Sequence, residues 1–268
     1  MHKKFQLLAY LNGMPDVEST YPVLMRIHAR GKLEVRTIVY SKLLKKEVRL
    51  KETFERNGLM PEIGSKLSMK FLFRSDIRNS DAVLTIADPF WDTTTRRQRG
   101  KYLIKLGKPS IFLQHGAFQL GVNGRLINGK MDYYSPKLLF WDSPDLSQNL
   151  FKEQVYKKIE TVGFTKKNIL PKREWNPQIK KWSQKYKCKL LICQSFRWGN
   201  NRFKQEDIEQ FYGLIENIIK EKPNLGIIIR SHRGKIRRIH RHFDNALEKK
   251  YDNILFSHYY QGTSSQSP

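Results

Sequence analysis

Two histidines in this chain close apolar runs, and each sits among residues suited to handling an anion. In residues 110–118, SIFLQHGAF, the apolar residues lead straight into Gln114, His115 and Gly116. An imidazole with a free pKa near ~6.5 can act as a general base or donate a hydrogen bond to phosphate. A glycine behind it lets a substrate or another backbone approach closely. The other reading is a strand-end histidine satisfied by a neighbouring carbonyl, and the tripeptide alone fits both. The second run, LGIIIRSHRGK at 225–235, ends in His232 flanked by Arg230, Arg233 and Lys235. Between residues 230 and 241 there are six Lys or Arg and no acid. Guanidinium forks and backbone N–H groups at a strand-to-helix turn suit a diphosphate. A solvated basic turn, or a patch for nucleic acid, fits the same residues.

Two further strand ends carry polar groups. LLICQSFRWGN places Gln194 and Ser195 at an apolar run's end, followed by Arg197, Trp198 and Gly199. An aromatic beside a cation can stack a base or sugar and contact its phosphate, although Trp198 serves equally well as a core cover. IADPFWD sets Asp88 and Asp92 at another end. Either carboxylate is a candidate base, while Asp-Pro is also a common turn opener. The pattern RRQRGKYLIKLG predicts a helix with Arg97, Lys101, Lys105 and Lys108 along one basic stripe. A dinucleotide fingerprint, a Walker loop, a nucleophile elbow, zinc-ligand spacing and an Asp-x-Asp metal pair are all missing from the sequence. The expectation is therefore chemistry without a metal and without a cofactor.

The elements that must position these residues alternate between short apolar runs and helical patterns, the signature of parallel sheets with helical crossovers. FQLLAYL reads as the first strand, followed by a loop at Asn12-Gly13 and a helix over about 19–29, with Ser19 and Thr20 as caps. LEVRTIVYS, DAVLTIA, PSIFLQ and KLLFWDS read as further strands, with helices over about 47–57, 66–78 and 96–107 and another after Pro144. TVGFTKKNILPKREWN lacks periodicity and reads as a linker. Alternation then resumes with CKLLICQSF, a helix over 205–220, LGIIIRS, a helix over 238–249 and NILFS. The fold class expected is α/β with two Rossmann-like domains, 1–160 and 181–268, joined by a linker at 161–180 and facing each other across a cleft. The second domain has about 100 residues, against the ~150 usual for such a unit, and closes on GTSSQSP; a shortened domain is expected.

Composition narrows the partners. The 268 residues are 39% hydrophobic, with 15 Phe, 12 Tyr and 5 Trp, which excludes a disordered chain. A formal charge of +25 favours polyanions: nucleic acid, an acidic membrane surface or phosphorylated ligands. Cys188 and Cys193, five apart in a strand pattern, point to opposite faces and fit a reduced, cytoplasmic compartment. No window approaches the ~20 apolar residues of a spanning helix, so a soluble or peripheral protein is expected.

Taken together, FLQHGAF, IIIRSHRGK, ICQSFRWG and IETVGFTKKNIL resemble the two-domain GT-B glycosyltransferases, and most closely the bacterial surface-polysaccharide transferases and CDP-glycerol glycerophosphotransferases. The resemblance runs from about Asp81 to Asn253. Arg233 stands where that family commonly has proline, and its Ser/Thr-rich turn and acidic helix beyond DNILFS have no counterpart here. The resemblance implies transfer of a glycosyl or glycerophosphate-type group from a nucleotide-activated donor to a polysaccharide or lipid-linked acceptor. His115, with Asp88, is expected in catalysis. Ser195, Arg197, Arg230, His232 and Arg233 are expected at the donor, with Asn12, Gly13, Gln114, Gly116 and Trp198 lining the cleft. A lipid-linked acceptor implies peripheral contact with the anionic inner face of the cell membrane. The competing classes are a basic nucleic-acid-binding protein, drawn from the charge and FRWGNNRFK, and an inactive transferase relative.

Overall fold

The computed structural model describes residues 4–65, 67–90, 94–116, 125–143, 149–167, 169–171, 177–194, 204–231 and 241–256. The chain divides into two compact units, Met1–Pro171 and Lys172–Pro268.

The first unit is built on a seven-stranded sheet. Its strands are β1 (Gln6–Leu11), β2 (Glu34–Tyr40), β3 (Glu62–Gly64), β4 (Ala82–Thr85), β5 (Ser110–Leu113), β8 (Lys137–Phe140) and β9 (Ile159–Thr161). They lie in the order β3-β2-β1-β4-β5-β8-β9, and every pairing is parallel. A two-stranded antiparallel hairpin, β6 (Arg125–Ile127) and β7 (Lys130–Asp132), stands apart from it. The continuous apolar run of β1 is what a strand covered on both faces requires. Leu7, Ala9 and Leu11 pack against Val17, Tyr21 and Leu24 of α1 (Met14–Arg30). Leu8 and Tyr10 face the opposite layer, with Phe73 and Ile77 of α4 (Phe73–Asn79) and Leu103 of α5 (Thr94–Leu106).

The second unit has a three-stranded parallel sheet, β10 (Cys188–Gln194), β11 (Leu225–Ser231) and β12 (Ile254–Phe256), in that order. The helix α8 (Gln205–Glu221) buries Ile208, Tyr212, Ile215 and Ile219, spaced four, three and four apart, against Ile227, Ile229 and Phe256. Each such side chain contributes about 1.5–3 kcal/mol when fully buried. On the other face, α7 (Pro177–Lys185) lays Trp182 on the sheet beside Leu255, and its indole N–H donates to the Asp252 carbonyl at 2.8 Å. The contact is close enough to exclude a side chain at Gly226, where a Cβ would lie 2.9 Å from Trp182 and Tyr186. The remaining helices are α2 (Ser41–Lys46), α3 (Arg49–Asn57), α6 (Glu153–Tyr156) and α9 (Arg241–Lys250). Cys188 and Cys193 are free thiols.

Three local expectations need correction. The first helix begins at Met14, five residues before the expected caps, because the Asp16 carboxylate accepts the Asn12 and Gly13 amides at 3.1 and 2.9 Å and so starts the helix itself. Ser19 and Thr20 are buried inside it. The stretch read as linker is shared between the units: Ile169 and Leu170 sit in the first core, and Ile179 sits under the second sheet. The residues after Pro144 expected to be helical begin outside the described residues, and α6 starts at Glu153.

Burial pushes the Tyr21 phenol up to about 12 and also raises Tyr10 and Tyr133. The fold therefore favours the neutral phenols. That stability is fully present below the unfolded pKa near ~10 and is lost as pH rises toward the folded values. We expect alkaline unfolding of the first unit above about pH 11, with tyrosinate absorbance rising in step with loss of helical circular dichroism. Ionisation of all tyrosines near pH 10 without unfolding would contradict it.

Candidate functional site

His115 lies two residues beyond the end of β5, at the sheet's carboxyl edge, where open parallel sheets bind ligands. The residues on either side explain its placement. Gln114 is 6% exposed; its amide N–H donates to the Leu139 carbonyl at 3.0 Å. Its side-chain oxygen accepts the Trp141 amide at 2.7 Å, and its side-chain nitrogen donates to the Gly116 carbonyl at 3.0 Å. One glutamine thus ties the end of β5 to the end of β8 and fixes the turn that carries His115. The imidazole is half-buried, with its Nδ1 in the interior. Among the described residues, a Cβ at Gly116 would meet nothing within 4 Å. Gln114, expected to line a cleft, braces the turn that carries His115.

Asp88 is buried and 2% exposed. One carboxylate oxygen accepts the Phe90 and Tyr134 amides, both at 3.0 Å, and the other accepts the Ser135 amide at 3.0 Å. A base needs a lone pair aimed at substrate, whereas these oxygens are committed to three backbone donors. Asp88 is therefore assigned as a clamp between the end of β4 and the segment leading into β8, in place of the catalytic role expected of it. The Pro89 carbonyl oxygen would lie 2.7 Å from a Cβ at Gly100, so α5 reaches this turn only because residue 100 is glycine. Phe90 and Tyr134 complete the contact edge-to-face at 5.7 Å.

Strand order reverses between β1 and β4, and a small cavity of about 40 Å³ lies there. Its lining includes Tyr10, Asn12, Asp16, Thr85 and Arg99. Arg99, 6% exposed, donates to the Asn12 side-chain oxygen at 2.7 Å and lies 4.4 Å from the Tyr10 ring centre. Asn12 and Gly13 thus stand at the switch point, held by Asp16 from below and Arg99 from the side. Sequence reading missed Arg99, although the signal was present. It precedes Leu103 by four residues and Leu106 by seven, which puts it on the apolar face of α5 rather than in the basic stripe.

In the second unit Arg230 lies in β11, paired in register with Cys193, and is half-buried. The remaining donor-side candidates, Ser195, Arg197, Trp198, His232 and Arg233, lie outside the described residues, as does Asp92. Among the described residues no helix is long and apolar enough to cross a membrane.

No protein-family profile and no curated protein matches the sequence. Solved structures do. The chain is similar to the Staphylococcus aureus MnaA–UDP co-structure, with a TM-score of 0.61 and 14% identity over 94% of this chain and 68% of that one. It is similar to the UDP-N-acetylglucosamine 2-epimerase of Rickettsia bellii, with a TM-score of 0.59 and 12% identity over 95% and 68%. A third is the Methanocaldococcus jannaschii UDP-GlcNAc 2-epimerase in complex with UDP-GlcNAc and UDP, with a TM-score of 0.56 and 14% identity over 94% and 73%. At such identities the likeness is one of fold, and the GT-B-like α/β class expected from the sequence is what it shows.

The clamp assignment separates from a catalytic one by experiment. Asp88→Ala would leave the buried Ser135 amide and the part-buried Phe90 and Tyr134 amides without their partner, and we expect a loss of about 2–4 kcal/mol in urea unfolding. Gly100→Ala should cost about 1–3 kcal/mol through the same turn, less than additively with Asp88→Ala. An Asp88→Ala protein with unchanged stability and lost turnover would restore the carboxylate as a base.

Proposed function

We propose that this chain binds a nucleotide-activated sugar and is a transferase, moving a glycosyl or glycerophosphate-type group to a cell-surface polysaccharide or lipid-linked acceptor without a metal. The observation that carries the reading is His115 at the carboxyl end of β5, on a turn braced by Gln114 and followed by Gly116, which no described residue crowds. In this reading His115 takes the proton of the acceptor hydroxyl as its oxygen bonds to the transferred group. The bond from that group to the nucleoside phosphate breaks, and the leaving phosphate keeps the electron pair. Its charge needs positive partners, which we assign to Arg230 with Arg197, Arg233, His232 and Ser195 on the second unit. Asn12 and Gly13 at the switch point complete the acceptor side, and Trp198 is assigned to the donor base or sugar. That two of the solved neighbours hold UDP supports a nucleotide ligand for this fold.

The reading is tested by thermal-shift measurements with UDP, CDP, CMP and GDP, followed by turnover with the corresponding donors. A nucleotide at about 100 times its Kd should raise Tm by roughly 5–10 °C. His115→Ala should lower turnover by about 10²–10⁴-fold with Tm preserved. Interconversion of a UDP-sugar with no acceptor present would move the reaction to epimerisation. No nucleotide response, with salt-resistant nanomolar binding of one nucleic acid, would replace the enzyme reading by the nucleic-acid one. A destabilised His115→Ala protein with normal turnover per folded molecule would make the histidine structural.

A further inference from the structure

The first unit carries an apolar prominence beside a basic groove, used by none of the chemistry above. Among the described residues, five large apolar side chains are exposed within the thirteen positions 60–72: Met60, Ile63, Leu67, Phe71 and Leu72. The last three are 65%, 60% and 61% exposed. Residues 68–72 form a single π turn between β3 and α4. The wider i→i+5 winding of such a turn brings residues four and five apart onto one side, which groups Leu67 with Phe71 and Leu72. An unsupported apolar group of this kind is unfavourable in water and calls for a partner.

The surroundings specify which partner. A groove of about 410 Å³ adjoins the turn, lined by Phe71, Phe73, Arg74, Tyr102, Lys101 and Lys105, with Gln98 at its side. Arg74 lies over the Tyr102 ring at 5.9 Å, and Arg78 donates to the Tyr102 hydroxyl at 3.2 Å. Ile104, also exposed, stands between the two lysines of α5. The acids of the neighbourhood are already engaged: Arg36 pairs with both Glu62 and Asp76, at 2.7 and 2.8 Å. Among the described residues no carboxylate pairs with Arg74, Lys101 or Lys105.

We propose that this face, Leu67, Phe71 and Leu72 with Arg74, Lys101 and Lys105 beside them, docks the protein on an anionic lipid bilayer. The three apolar side chains enter the boundary between headgroups and acyl chains, and the cations meet lipid phosphates, the arrangement that interfacial anchors require. A protein partner would need acidic groups spaced to match, whereas a bilayer supplies diffuse negative charge over an apolar interior. The proposal deepens the transferase reading by naming where the chain meets lipid, and it rests on that reading for no residue.

The test contains neither donor nor acceptor, so its failure leaves the nucleotide reading untouched. Co-sedimentation would use vesicles of phosphatidylcholine alone and with about 30 mol% phosphatidylglycerol. We expect binding to the anionic vesicles only, weakening with salt. Replacing Arg74, Lys101 and Lys105 by Gln should reduce partition about 100-fold. Leu67→Ser/Phe71→Ser/Leu72→Ser should reduce it at least ~10-fold with circular dichroism and Tm preserved. If that triple melts early, Phe71→Ser alone should still bind more weakly than wild type. Lys180→Gln/Lys181→Gln/Lys185→Gln removes equal charge from the second unit and should change partition little. The proposal is overturned by absent vesicle binding, by equal loss in the remote triple, or by a lipid-free dimer in light scattering that the apolar triple abolishes.

Discussion

Three backbone amides converging on one buried carboxylate hold the carboxyl edge of the first sheet together. Asp88 takes the Phe90 amide from its own turn and the Tyr134 and Ser135 amides from the chain entering β8. Removing a charge from water is costly unless hydrogen bonds replace hydration, and here backbone donors do so. β4 and the approach to β8 therefore cannot move apart. Between them lies β5, whose end is fastened to β8 by Gln114. The His115 turn is suspended from that frame. Gly100 lets α5 close against it, and the same helix delivers Arg99 to Asn12 at the switch point. A site whose reacting group must be held to fractions of an ångström is better served by such a frame than by a free loop.

The charge distribution divides the work of an unusually basic chain. Much of the +25 is solvated surface, and two of the acids, Glu62 and Asp76, are drawn to Arg36. Hydrogen bonds from Arg36 hold the Glu62 carboxyl below the usual range. Around Arg74, Lys101 and Lys105 no carboxylate among the described residues pairs with the cations, and they adjoin apolar surface. Along 230–241 the cations follow a strand end and suit a phosphate in the proposed reaction. The two basic regions are thus distinguished by their neighbours.

The repeating strand and helix pattern was legible where a strand is a compact apolar run, while β3, β6, β7 and β9, of three residues each, are not. β1, β2, β10 and β11 fall where those runs predict. The His115 strand end was legible for the same reason. The start of α1 was not, because Ser19 and Thr20 look like caps, while the cap comes from Asp16 reaching back to amides that a linear reading leaves unassigned. β9 was not legible: three residues are too short to show alternation, and pairing with β8 defines it. The role of Asp88 was hidden for a related reason. Two of its three partners lie 46 and 47 residues away, and only tertiary structure brings them to the carboxylate.

The central claim is that this frame presents His115 to a group activated by a nucleoside phosphate. It is tested most directly by a crystal structure of the protein with the nucleotide that stabilises it most. The account predicts the phosphates on Arg230, with the His115 imidazole turned out of the interior of the first unit. Phosphates bound at a different surface, with His115 turned into the interior against a carbonyl, would contradict it.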